Sequence, residues 1–378
     1  MALAAAIGCG GGRKDYGGEL GRWIPSQPMP GARSHHTATL LEGGEVLVTG
    51  GLVAGGATSA DSLLYDPATE TWHPTGMMAT ARANHTATKL LSGKVLVAGG
   101  VHLASLTDTD TPEIYDPASG SWSPTPPIPQ DTVAAMLLPS GEVLAEGEIG
   151  AARYDPDADA WSAADPPPVV SARYAIVQIP SGIPLVMGGI GCGQPDFSGC
   201  GFPIPTISSL TNAQAFDHVW TMWPRLLQAR DSQSATVLLN GDVLVVGGEY
   251  RICGRSTEMQ TTLDTAEVLH TTFLTWAPAG SLATPRMSHT ATLLASGDVL
   301  IAGGESAPMG AVLGSADVYH ADDGTWEKAA ALPEPRVAHT ATLLPSGSVL
   351  VIGGDGPQGL YRAPTATMFL FTEQILGR

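Results

Sequence analysis

Apolar and polar positions alternate in short runs along this chain, and the runs recur. In Arg33–Leu41, His36, Ala38 and Leu40 fall on one face of an extended strand, with Thr37, Thr39 and Leu41 on the other. A Gly-containing turn follows; Ser92-Gly93 and Asn240-Gly241 are the hairpin signals of two copies. Next comes a wholly apolar run such as Val243–Val246, the pattern of a strand covered on both faces. A Gly-Gly pair ends that strand and permits close backbone approach. The unit returns at Arg82–Gly100, Arg230–Gly248, Arg286–Gly304 and Arg336–Gly354. Weaker copies run from Gln130 to Gly147 and from Ser171 to Gly189.

The second half of each copy carries an aromatic pair seven residues apart. Tyr65 and Trp72, Tyr115 and Trp122, Tyr154 and Trp161, and Tyr319 and Trp326 keep this offset, as do Phe216 with Trp223 and Leu269 with Trp276. One tryptophan per unit reads as packing between units, because large aromatics dominate cores. The last copy ends at Phe371 with no tryptophan after it, whereas Trp23 has no strands before it. Trp23 precedes Arg33 by ten residues, as Trp72 precedes Arg82. The N-terminal strand is therefore expected to complete the last unit and leave no free sheet edge.

Seven copies about 40–60 residues apart have the period of propeller blades. The Gly-Gly, Tyr and spaced Trp resemble the kelch repeat over residues 22–378. The resemblance implies an all-β, seven-bladed kelch-type β-propeller. Merging a weak copy into its neighbour would leave six blades.

Variable loops on a repeated scaffold locate the working face. From the Gly-Gly position to the aromatic, the third copy has 7 residues, the fourth 27 and the fifth 21. The long connections of blades 4 and 5 are thus expected to form the functional surface. Arg33, Arg82, Arg230, Arg286 and Arg336 enter the same face, with Glu148, Glu249, Glu305 and Asp355 nearby. In some kelch domains such arginines help hold acidic peptides, so the resemblance implies a ligand-binding rim of these arginines with Glu249 and Glu305. Their recurrence also fits internal pairing, since repeats repeat their structural contacts.

His36, His85, His289 and His339 recur in the first strand, with Val133, Tyr174 and Gln233 in the equivalent places. One histidine per repeat reads as structural, because a metal site needs convergent ligands. No zinc-protease, nucleophile-elbow or phosphate-loop motif occurs. Galactose oxidase and its relatives carry copper on a propeller of this kind, with two Tyr, two His and a Cys cross-linked to one Tyr. No such set stands at matching positions, so neither a metal nor another cofactor is expected.

Cys192 and Cys200 lie in the long fourth loop and Cys253 in the fifth. A Cys192–Cys200 disulfide is the first expectation, pairing with Cys253 the second, and a zinc site the third. Residues 1–21 resemble a lipoprotein signal and Gly-rich tether, with Cys9 as the acylated residue. Only eight residues precede Cys9, without basic residues, which departs from that pattern.

The 46 Gly and 30 Pro make up about a fifth of the 378 residues, consistent with a turn-rich protein. The formal charge of −18 argues against a nucleic-acid partner. No apolar run is long enough to span a bilayer as a helix. Together these features lead to the expectation of a monomeric, non-catalytic binding module of the bacterial cell envelope or secreted, taking a protein or glycan. A carbohydrate-active oxidase or epimerase and a structural scaffold are the alternatives.

Overall fold

The computed structural model describes residues 19–372, apart from 103–106, 109–110, 130–131, 133, 148–149, 170–171, 193–206, 254–257 and 358–363. Cys9, Cys200 and Glu148 lie outside the described residues, and with them the lipidation site and one partner of the expected disulfide.

The described elements are all β. Seven four-stranded antiparallel sheets follow one another along the chain. Sheet I comprises Thr37–Leu40, Val46–Thr49, Ser62–Asp66 and Thr71–Pro74. Sheets II to VI repeat this order, starting at Thr86, Ala134, Ala175, Ser234 and Thr290. Sheet VII takes Thr340–Leu343, Val349–Ile352 and Met368–Thr372, and its fourth strand is Arg22–Ser26 from the other end of the chain. Arg22 lies opposite Thr372 and Trp23 opposite Phe371.

The apolar second strands are buried throughout, as Val46–Thr49 and Val349–Ile352 show. Each lies mid-sheet, so side chains on both faces meet a neighbouring sheet. An apolar cluster fills each of the seven seams. Leu47 meets Val95 and Tyr115 between I and II, and Leu96 meets Val143 between II and III. Leu144 meets Phe216 between III and IV, and Leu185 meets Val243 between IV and V. Val299 joins V to VI, Phe371 joins VI to VII, and Ile352 meets Val48 between VII and I.

The aromatic pairs face each other across the outer two strands, with ring centroids 5.0 Å apart for Trp23–Phe371 and 5.1 Å for Tyr65–Trp72. Each indole also donates to the linker before its strand: Trp122 to the Gly76 carbonyl at 2.9 Å, Trp276 to Pro224 at 2.8 Å, Trp326 to Ala279 at 2.6 Å and Trp23 to Ala330 at 2.7 Å. Trp72 reaches Gln27 at 3.2 Å, and Trp161 reaches the Thr125 hydroxyl at 3.5 Å.

Sheet IV departs from the expected offset. Phe216 lies opposite Trp220, not Trp223, with centroids 5.1 Å apart, and Trp220 donates to the Asp165 carbonyl at 2.8 Å. The turn here is tight, with Asp217 opposite Val219 and His218 left-handed at φ 59°. That moves the indole partner three residues nearer, and Trp223 packs instead into the cluster between IV and V.

The long fourth and fifth connections form an additional four-stranded sheet of Ile190–Cys192, Ile207–Ser209, Glu249–Cys253 and Glu258–Thr262. Cys192 and Cys253 both lie opposite Ile207, on the strands flanking it. Two strand spacings, about 10 Å, separate their backbones, beyond the reach of a disulfide without backbone movement.

Candidate functional site

The five arginines do not form a rim. Their exposures run from 0% to 3%, and their guanidinium groups close their own sheets. Arg82 donates to the Gly99 and Thr111 carbonyls at 3.2 and 2.7 Å and pairs with Glu113 at 3.0 Å. Arg230 holds Gly247 and pairs with Glu267 at 2.8 Å; Arg286 holds Gly303 and pairs with Asp317 at 2.8 Å. Arg33 holds Gly50, and Arg336 holds Gly353 while lying over the Phe369 ring. A cation taken out of water needs such partners, and the carbonyls at these Gly-Gly ends supply them. The rim expected on these five residues is therefore corrected: they are internal clamps. Glu249 is also fully buried, paired with Arg251 at 3.1 Å, and Glu305 is 8% exposed.

The Gly-Gly pair joins neighbouring sheets. The Gly248 N–H donates to the Arg286 carbonyl of the next sheet at 2.9 Å. A Cβ on Gly248 would lie 2.5 Å from the Asp231 carbonyl, at a φ of 90° that side chains avoid.

The repeated histidines are seam locks. His85 Nε2 bonds Thr37 Oγ1 at 2.9 Å, His289 bonds Ser234 at 2.8 Å, His339 bonds Thr290 at 3.0 Å and His36 bonds Thr340 at 3.1 Å. Burial, reinforced by the neighbouring arginine, lowers His85, His289 and His339 to about 3 and holds His36 well below its ordinary range. Gln233 fills the same place and donates to the Met187 carbonyl at 2.8 Å.

Between the buried arginine and the histidine of the repeat stands one residue in the left-handed region. His35, Asn84, Arg173, Ser232, Ser288 and Ala338 share φ values of 52–56°. Their backbones connect: His35 N–H donates to the Ala338 carbonyl at 3.1 Å, Asn84 to His35 at 3.0 Å, Ser232 to Arg173 at 3.0 Å and Ser288 to Ser232 at 3.2 Å. These residues crown the inner strands on the face where the Gly-Gly pairs end. The backbone is constant and the side chains are not, which is how a scaffold presents chemistry.

At the seam between VII and I, the crown brings His35 and Asn84, which sequence reasoning did not single out, together with Asp355. His35 Nδ1 lies 2.8 Å from Asn84 Oδ1, and His35 Nε2 lies 3.5 Å from Asp355 Oδ2. The imidazole is 32% exposed. Between V and the loop sheet, Asp231 accepts from Ser209 at 2.8 Å and from Ser232 at 2.9 Å. Burial raises the Asp231 carboxyl above its ordinary range. At the seam between III and IV the histidine lock is absent. Tyr174 takes the histidine's place and Ala134 that of the hydroxyl. Glu146, 2% exposed, faces Tyr174; desolvation raises this carboxyl to about 8, against the opposing effect of the tyrosine bond.

No family model and no curated protein matches the sequence. Among solved structures, the chain is similar to a fungal alcohol oxidase of the AA5 family in complex with copper. The identity is 15%, the TM-score 0.72, and the match covers 95% of this chain and 78% of that one. The likeness shows the fold: an all-β array of four-stranded sheets consistent with a propeller. The expectation of a non-catalytic binding module is corrected on this finding, since the protein similar in fold is an alcohol oxidase. The buried arginines independently remove the rim on which that module was to capture its partner.

Copper does not fit the described residues. No three His, Cys, Asp or Glu side chains among them converge as a metal site. The repeated histidines stand in four different sheets, each with Nε2 committed to a hydroxyl.

Proposed function

We propose that the seven sheets form one closed ring, a kelch-type propeller whose last blade is completed by Arg22–Ser26. The chain is then an enzyme acting on a hydroxyl group of a carbohydrate or polyol at the mouth of that ring. An apolar cluster at every seam and the pairing of the chain's two ends support the closure. The likeness to an alcohol oxidase supports the substrate class.

One observation carries the catalytic reading: the His35 imidazole, partly open to solvent, held between Asn84 and Asp355. With Nδ1–H donating to Asn84 Oδ1, the lone pair is fixed on Nε2. Nε2 is thereby a base, and Asp355 stands beside it to stabilise the imidazolium formed when it takes a proton. The step this base supplies is removal of the proton from a substrate hydroxyl, which the imidazole holds as Nε2–H.

A screen of sugars and polyols with wild-type protein and two variants tests this reading. His35→Asn keeps a residue type that the crown already holds at Asn84 and that tolerates the left-handed backbone. It is expected to lose about a hundredfold or more in kcat. The adjacent His36→Gln copies the natural arrangement at Gln233 and should turn over as wild type. A screen with no turnover, or equal turnover by His35→Asn, would contradict the reading.

A further inference from the structure

Resting on the crown site above, we propose that its substrate carries a carboxylate and that Arg173 binds it, so that the site takes an acidic sugar in preference to a neutral one.

Arg173 occupies the crown position of sheet IV at φ 56°, is exposed, and has no ion pair among the described residues. All five repeat arginines, by contrast, are buried and hold carbonyls of their own sheets. Four neighbouring pairs of the crown bond backbone to backbone. Arg173 is three sheets on from His35 and so faces it across the opening. The planar guanidinium fork matches a carboxylate with two parallel bonds, which a point charge does not.

The seam beneath Arg173 lacks the histidine–hydroxyl lock, as do the seams where Val133 and Gln233 replace the histidine. Tyr174, the next residue, faces Glu146, whose Oε1 is buried with no hydrogen-bond partner. Tyr174 and Glu146 are positioning residues: they fix the backbone from which Arg173 projects.

The net charge of −18 does not oppose such a ligand at close range. Distant charges are screened over about 8 Å in physiological salt. Of the carboxylates on this face, Glu249 is paired with Arg251, Asp231 is hydrogen-bonded to two serines, and Asp355 lies against His35.

The test is calorimetric titration of the whole protein with hexuronates, each paired with its neutral hexose, so that turnover is not needed for a reading. Wild-type protein is expected to favour at least one uronate over its partner by roughly tenfold or more. Arg173→Gln should abolish the preference and Arg173→Lys keep part of it. Tyr174→Phe should weaken uronate binding while leaving the neutral partner unchanged. Equal affinity within every pair, no binding of any uronate, or a preference that survives Arg173→Gln would overturn the proposal. His35-dependent turnover, measured separately, would then stand or fall on its own.

Discussion

Protonation of individual side chains sets how this molecule responds to pH. In the folded protein His85, His289 and His339 are depressed to about 3 from an ordinary 6.5. A base with a depressed folded pKa contributes stability that is complete above 6.5 and is lost as pH falls toward 3. Each bare Nδ1 explains the cost, since protonation would bury an N–H with no acceptor. Acid unfolding should therefore steepen below about pH 6, by a few kcal/mol per histidine. His339→Gln, which copies the arrangement at Gln233, should flatten that slope in denaturant titrations run across the acid range. Glu146 acts in the opposite sense. Its folded value of about 8 stands above an ordinary 4.5, so its contribution is complete below 4.5 and lost as pH rises to 8. Glu146→Gln should raise the melting temperature near pH 9 and change it little near pH 4. A lower melting temperature at pH 9 would contradict a desolvated carboxyl at this seam.

The elements were unevenly legible in the sequence. Each first strand, turn and apolar second strand could be read directly, because period-2 alternation and Gly placement are local signals. Trp23 was placed from its ten-residue spacing to Arg33, and it lies opposite Phe371. Trp220 was missed because a tight turn moved the tryptophan that faces Phe216, and a fixed offset cannot register a shortened turn. Losing a fully buried indole costs about 3–5 kcal/mol, and these two half-buried rings less. Trp220→Ala should accordingly destabilise more than Trp223→Ala in chemical unfolding, because only Trp220 bridges to the preceding linker by a hydrogen bond. The crown escaped notice for a different reason. The repeat draws attention to its invariant columns, whereas His35, Asn84 and Arg173 occupy the variable column between them. That variability, next to constant neighbours, was the signal available.

At the scale of the whole molecule, the site and the closure are one problem. His35 belongs to sheet I and Asp355 follows the second strand of sheet VII, so the catalytic reading requires the seam where the chain's ends meet. That seam is held by the Gly354 N–H to the Arg33 carbonyl at 3.0 Å, by His36 to Thr340, and by the apolar cluster of Val48 and Ile352. Freeing Arg22–Ser26 would expose the edge of Met368–Thr372 and loosen everything resting on it. The most direct measurement is cross-linking of Arg22→Cys with Thr372→Cys, positions that face each other and whose native side chains already touch at 3.4 Å. On mild oxidation the account predicts near-complete intramolecular disulfide, a higher melting temperature and unchanged turnover. A folded monomer in which the two thiols remain free would contradict the closed ring and the site built on it.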